Sequence, residues 1–205
     1  MSERFKDLKK VPNQPALRLL ALANLKIGTE LKAPAAAPVE VVLEELAQAE
    51  AWPDLLRVMA AALPVREGVW WACLAAEDMM GGGEAAESPC LTAARAWVYK
   101  PNDDTRAAAQ KVAETADVAD AADLCASAVA MCDGKLGPGD LAQYDAPPGA
   151  AQSMILAMIG SGIGVGEDAD TGAQLQHLID RGVDIARGGN GRIAGASAAP
   201  LEGAT

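Results

Sequence analysis

The chain has 205 residues, of which 51% are hydrophobic and only 3% aromatic, and its formal net charge is −11. This length and apolar content are enough for a sizeable buried core, which excludes a chain that is disordered throughout. Lys and Arg outnumber Asp and Glu seven to three in residues 1–32, whereas the remainder holds ten basic against twenty-five acidic residues. Such an acidic body repels phosphates and anionic lipids, which argues against nucleic acid or a membrane as its main partner.

The composition predicts an all-α fold. Alanine, the strongest helix former, is abundant, and aromatic strand formers are scarce. We expect about eight helices joined by short Pro/Gly breaks, with no significant sheet, arranged as a compact bundle or as a short stack of helical hairpins. We divide the chain into a basic N-terminal arm with a short leucine-rich helix and a Pro/Ala linker (1–37), a helical domain (38–189) and a disordered Gly/Ala-rich tail (190–205).

The N-terminal arm contains the first predicted helix, at residues 15–26. Leucine and alanine occur nearly all round it, so it is either buried or exposed for a partner, and Leu19, Leu20 and Leu22 become interaction candidates. Arg18 interrupts the apolar segment, and no cysteine framework of a secreted protein follows, so we expect a cytoplasmic protein without a cleaved leader. No run approaches the ~18 apolar residues that a membrane span needs.

The later helices follow from apolar periodicity and from Pro, Gly and N-cap residues. Each predicted helix start is a proline or a polar residue that caps a first turn. Residues 134–149, rich in Pro and Gly, are predicted to be a loop. Further helices are predicted at 121–132 and 154–159, and the predicted stops include Gly81 and Gly188. The predicted starts are Pro38, Pro53, Pro64, Ser88, Asn102 and Asp170 or Thr171.

Two adjacent tryptophans are the most conspicuous feature of the helix that follows Pro64. Neighbouring residues of a helix point about 100° apart, so Trp70 and Trp71 cannot both lie at the centre of one apolar stripe. Trp70 lies in line with Cys73 and Leu74, which predicts a core anchor. Trp71 lies on a flank with Asp78, where it either packs against a neighbouring helix or is partly exposed as an interaction hot spot.

Three patterns suggest chemistry at first sight, and each lacks a required part. The glycine-rich run 160–166 has neither the dinucleotide-binding spacing nor a Gly-Lys-Ser/Thr sequence, so we interpret it as a helix connector. His177, the single histidine, lies on the polar flank of the last helix and is expected to be solvated or salt-bridged. Cys125 and Cys132 are seven residues apart, which suits core packing better than zinc. We therefore predict no catalytic residue, metal or cofactor.

From the tryptophan helix onward, several segments carry a resemblance to a known family. The segments are Leu63-Pro64, Arg66-Glu67, Trp70 to Cys73, Ala96-Trp97 with Pro101 and Arg106, Leu136 to Pro138, Pro147-Pro148 and Gly182 to Gly188. Over roughly residues 40–190 the chain resembles a bacterial domain of unknown function that is often encoded among type VI secretion genes. The resemblance supplies no catalytic residues. Trp97 and Arg106 join Trp70 as expected core anchors.

The resemblance implies an accessory protein of a secretion cluster. The leading hypothesis is a non-enzymatic helical module, an adaptor, chaperone or scaffold, that binds another protein or itself through the leucine-rich helix or the Trp71 flank. One alternative is an enzyme or binding protein with a small-metabolite pocket between helices, in which His177 or a cysteine takes part. Another is a structural subunit of a homo-oligomer.

Overall fold

The computed structural model describes residues 3–81, 88–116, 120, 122–164 and 170–193. Over this part of the chain the fold is all-α, which confirms the predicted class: there are nine α-helices, two isolated β-bridges and no strand. None of the helices in the described residues has the length and apolar character needed to cross a membrane. The helices are α1 (Ala16–Leu22), α2 (Val39–Gln48), α3 (Trp52–Ala62), α4 (Val65–Met79), α5 (Pro89–Tyr99), α6 (Asp103–Glu114), α7 (Asp123–Ala130), α8 (Ala150–Ser161) and α9 (Thr171–Arg187), with 3-10 helices at Glu3–Phe5 and Gly139–Gln143.

The helix starts are set by local chemistry and fall close to the predicted positions. Pro38 and Pro64 precede α2 and α4 directly. The side chains of Ser88, Asn102 and Asp170 each accept a hydrogen bond from a first-turn backbone N–H of α5, α6 and α9. These caps satisfy donors that the helix itself leaves without a partner.

Helix α4 lies at the centre of the packing and contacts α5, α7, α8 and α9. Two glycines allow its neighbours to approach closely. A Cβ atom at Gly68 would lie 2.8 Å from Ile155 Cδ1, and one at Gly182 would lie 2.4 Å from Met59 Cε and 3.0 Å from the Trp71 ring. Because one helix contacts elements distant in sequence, the described residues form a compact bundle rather than a stack in which each hairpin contacts only its neighbours.

Residues 3–37 pack on this bundle. Phe5 and Leu8 are buried, and the Arg187 guanidinium donates hydrogen bonds to the carbonyls of the first described turn, among them Glu3 O at 2.7 Å. The linker is held by a carboxylate of α3, since Asp54 Oδ2 accepts from Thr29 N at 2.8 Å and from Thr29 Oγ1 at 2.7 Å. The N-terminal segment is therefore part of the folded body and does not extend from it as an arm.

The beginning of the predicted tail is also ordered. Asn190 O accepts a hydrogen bond from Trp70 Nε1 at 2.7 Å, and Asp184 Oδ2 accepts one from Gly191 N at 2.8 Å. Gly191 is buried against Leu74 and Ile185. The expectation of disorder from residue 190 is thus wrong for residues 190–193, and residues 194–205 lie outside the described part.

Candidate interaction surface

Trp71 lies on the inner face of α4. Its side chain is 0% exposed, and its Nε1 donates a hydrogen bond to Leu178 O of α9 at 2.9 Å. The missing side chain of Gly182 leaves the space that the indole ring occupies. Of the two predicted alternatives, the structure shows packing against a neighbouring helix, here α9. The partly exposed alternative, which made Trp71 an interaction candidate, is wrong, and Trp71 is a core residue.

Trp70 lies on the outer face of α4 and is half-buried, so the expectation that it is the central core anchor is also wrong. Its ring faces Tyr99 at the end of α5, with ring centroids 5.8 Å apart and planes at 58°. Tyr99 is 70% exposed. In a chain with one Phe, two Tyr and four Trp, two of the seven aromatic residues thus form a cluster at the surface.

Charged groups surround the two rings. The guanidinium carbon of Arg192 lies 5.6 Å from the Trp70 ring centroid, a cation–π distance. Glu77 forms ion pairs with Arg95 at 2.6 Å and with Arg192 at 3.0 Å. The cluster, called the Trp70 surface below, consists of Arg66, Trp70, Glu77, Arg95, Tyr99 and Arg192.

The register of α4 and α5 explains why these residues meet. Arg66 and Trp70 are four residues apart on α4, and Arg95 and Tyr99 are four apart on α5, so each pair lies on one helix face. Arg66 Nε donates to Val98 O at 2.7 Å at one end of the contact, while Glu77 meets Arg95 at the other. The two i, i+4 pairs were visible in the sequence. The side of α4 that meets the core was not.

The leucine candidates of the first helix separate into two groups. Leu19 and Leu20 are 7% and 3% exposed and belong to the core, so they are not available to a partner. Leu22 is 62% exposed. The apolar character of α1 is explained by its packing on α3, because that contact covers the Leu19 and Leu20 side of the helix.

Trp97 and Arg106 are buried, with exposures of 7% and 6%. Arg106 donates to Ala130 O at 2.9 Å through Nε and forms an ion pair with Asp133 at 2.5 Å, which fastens α6 to the end of α7. Burial raises the pKa of Asp133, but hydrogen bonds from Lys135 N and Arg106 outweigh it and hold that pKa below its usual range. Arg106 is thus a structural group that stabilises the loop after α7.

His177 lies at the contact between α9 and α4. Its Nε2 is 3.9 Å from Asp78 Oδ2, and its side chain is 19% exposed. Arg181, which is buried, already pairs with the same carboxylate at 2.5 Å. Burial and the positive charge of Arg181 lower the pKa of His177 below 6.5, against the opposing effect of Asp78 and Asp180. The neutral imidazole is therefore favoured beside an occupied ion pair.

The four cysteines are free thiols. Cys73, Cys90 and Cys125 are buried and Cys132 is half-buried. Burial, together with the nearby Asp120 carboxylate, raises the pKa of Cys90 to about 12, and a hydrogen bond with Cys73 and burial raise that of Cys125. A raised pKa disfavours the thiolate, which is the nucleophilic form.

Other candidate sites of the described residues are small or lack the needed ligands. No group of three or more His, Cys, Asp or Glu residues in the described ranges is placed to hold a metal ion. A cavity of about 10 Å³ lies among apolar side chains that include Leu8, Leu43 and Met59, which is about the space of one water molecule. Of the glycine-rich run, residues 160–164 follow or end α8, and 165–166 lie outside the described part.

The fold and the Trp70 surface together define a compact all-helical protein with an exposed cluster of aromatic and arginine side chains. The chain belongs to the family of unknown function DUF6931, whose model matches residues 42–186. The matched range contains Trp70 and Tyr99, and Arg192 lies beyond it. No curated protein and no solved structure matches the chain.

Proposed function

We propose that this protein is a non-enzymatic helical interaction module, an adaptor, chaperone or scaffold, that binds another protein through the Trp70 surface. The observation that carries the proposal is Tyr99, which is 70% exposed and lies against the half-buried Trp70 ring. Tyrosine, tryptophan and arginine are the residues most enriched among interface hot spots. An exposed pair of such rings, flanked by arginines, is typical of the centre of a binding surface.

The rigidity of the surface supports the same proposal. Trp70 is fixed by the hydrogen bond from its Nε1 to Asn190 O at 2.7 Å, and Arg192 is fixed by its ion pair with Glu77 at 3.0 Å. Side chains that are already ordered lose little conformational entropy when a partner binds. The Trp70 surface is thus preorganised for a protein contact.

We also propose an origin for the partner protein. The resemblance to a family encoded among type VI secretion genes supports a partner that is a secretion component or effector, met in the bacterial cytoplasm. The acidic charge of the chain, −11, argues against nucleic acid and anionic membranes as alternatives. The alternative partner is a second copy of the chain, in which case the same surface joins the subunits of a homo-oligomer.

The test is affinity capture from a lysate of the native host with the full chain and two tyrosine variants. Tyr99→Ala removes the exposed ring of the surface, and Tyr144→Ala is the matched control, because Tyr144 is 54% exposed in the loop between α7 and α8. We expect a protein that wild type and Tyr144→Ala retain and Tyr99→Ala loses. Equal retention by all three chains would contradict the proposal, and so would the absence of any retained protein together with a monomeric mass of the wild-type chain in solution.

Analytical ultracentrifugation of the same three chains tests the form in which the partner is a second copy. A mass above the monomer for wild type and Tyr144→Ala that falls to the monomer for Tyr99→Ala would assign the surface to self-association. If all three chains are monomers, the partner is a different protein, and the capture experiment must recover it.

A further inference from the structure

Resting on the proposed function, we infer that the Trp70 surface binds an acidic segment of the partner protein, with an apolar or aromatic residue between its carboxylates. The inference comes from the charge of the surface. Arg66, Arg95 and Arg192 contribute three positive charges, against the single negative charge of Glu77. Of the sequence neighbours, Lys100 adds one positive charge, and Glu67, which pairs with Lys10, adds one negative charge. Charge complementarity across an interface selects the partner and speeds its encounter.

The basic character of this surface is local and opposes that of the whole chain. The protein carries a net charge of −11, whereas the Trp70 surface with Lys100 is positive. Arg66, Lys100 and Arg192 are exposed, and the Arg192 side chain keeps 50% of its accessible area while pairing with Glu77. The guanidinium groups therefore remain within reach of further carboxylates.

The surroundings set the size of the matching segment. Glu67 pairs with Lys10 at 3.4 Å, and the exposed Asp103 and Asp104 begin α6 just beyond Lys100. From Arg66 to Glu77 the helix rises roughly 16 Å, a length that about five residues of extended peptide cover at ~3.3 Å each. The site thus suits a short acidic stretch, since a long polyanion such as nucleic acid would also meet the acidic remainder of the chain.

Selection of random peptides displayed on phage, about 12 residues long so that they exceed the span of the site, tests the inference. The immobilised full chain is the target, and the Tyr99→Ala chain is used to remove peptides that bind elsewhere. We expect the peptides that depend on Tyr99 to be enriched in Asp and Glu around an aromatic or apolar residue. Enrichment of neutral or basic peptides would overturn the acidic partner while leaving an interaction module. The absence of any Tyr99-dependent peptide would also overturn it, and the capture experiment decides the proposed function separately.

The strongest selected peptide, synthesised with a fluorescent label, gives the quantitative test by anisotropy. Arg66→Gln and Arg192→Gln are each expected to raise the Kd of this peptide by about two- to fivefold, the effect of losing an exposed charge pair. Added salt is expected to reduce the difference in Kd between each variant and wild type. Arg18→Gln, an exposed arginine on α1, is the matched control and should leave Kd unchanged. The inference is wrong if a peptide with Gln in place of every Asp and Glu binds as tightly, or if all three variants behave alike.

Discussion

The inner and outer faces of α4 place two adjacent tryptophans in opposite surroundings. Trp71 is 0% exposed, and its Nε1 donates a hydrogen bond to a backbone carbonyl of α9. Trp70 is half-buried, beside the exposed Tyr99 and under the Arg192 guanidinium. The inner face is closed by a neighbouring helix. The outer face ends in rings and charges that solvent can reach.

The difference shows what helix geometry decides and what it leaves to the rest of the fold. The 100° step between neighbours requires that only one indole lies centrally in the core. The close approach of α9 at Gly182 decides that this indole is Trp71. Stability should therefore depend mainly on the inner residue, and binding on the outer one.

The largest effect is expected from Trp71→Ala, which breaks the inner face. Removing a buried indole should lower the free energy of unfolding by about 3–5 kcal/mol, from lost burial and the cavity that remains. Urea unfolding followed by circular dichroism measures the change. If Trp71→Ala lowers the free energy of unfolding no more than Trp70→Ala does, the assignment of Trp71 to the core and of Trp70 to the surface is wrong.

Gly182→Val should produce the next largest effect. The first added carbon would lie 2.4 Å from Met59 Cε and 3.0 Å from the Trp71 ring, so α9 must shift away from α4. Overpacking of this kind costs about 1–3 kcal/mol. Gly160→Val, also in a helix, is a control for the change in helix propensity from glycine to valine, because nothing lies within 4 Å of a Cβ atom there. The same urea titration of both variants should find Gly182→Val the less stable.

On the outer face, Trp70→Ala should lower the unfolding free energy by less than about 1.5 kcal/mol, because only part of the ring is buried. Tyr99→Ala, at a site 70% exposed, should change it by no more than about 0.5 kcal/mol. Both variants should nevertheless lose the captured partner. If Tyr99→Ala still captures the partner, the assignment of partner binding to the outer face of α4 is wrong.

The smallest effect concerns His177 at the edge of the inner face. Its pKa is lower in the folded state than the ordinary 6.5, so between these two values the unfolded chain binds more protons. Stability is therefore expected to fall as pH drops from 6.5 through the lowered folded pKa. Urea unfolding at about pH 7.5 and about pH 5.5 should show a smaller fall for His177→Gln than for wild type. If stability falls by the same amount in both chains, His177 does not contribute to the pH dependence of stability.

The parts of the fold that could be predicted are those governed by neighbours in sequence. Ser88, Asn102 and Asp170 cap their helices because the groups they bind lie within the next four residues. The all-helical class follows from composition in the same way.

The parts that could not be predicted depend on groups far apart in the chain. The N-terminal segment is held by Arg187, and Trp70 is hydrogen-bonded to Asn190, at separations of over 100 residues. Nothing in the local pattern around Phe5 or Trp70 indicates these contacts. The Trp70 surface was missed for the same reason, because Arg192 reaches it from the segment after α9.

Site-specific photo-crosslinking tests the separation of the two faces most directly. A benzophenone amino acid replaces Tyr99 in one chain and Tyr144 in another, and each chain is illuminated in the native host. We expect a covalent adduct with a partner protein, or with a second copy, from position 99 and none from position 144. Adducts from position 144 alone, or from neither position, would contradict the assignment of the outer face of α4 to partner binding.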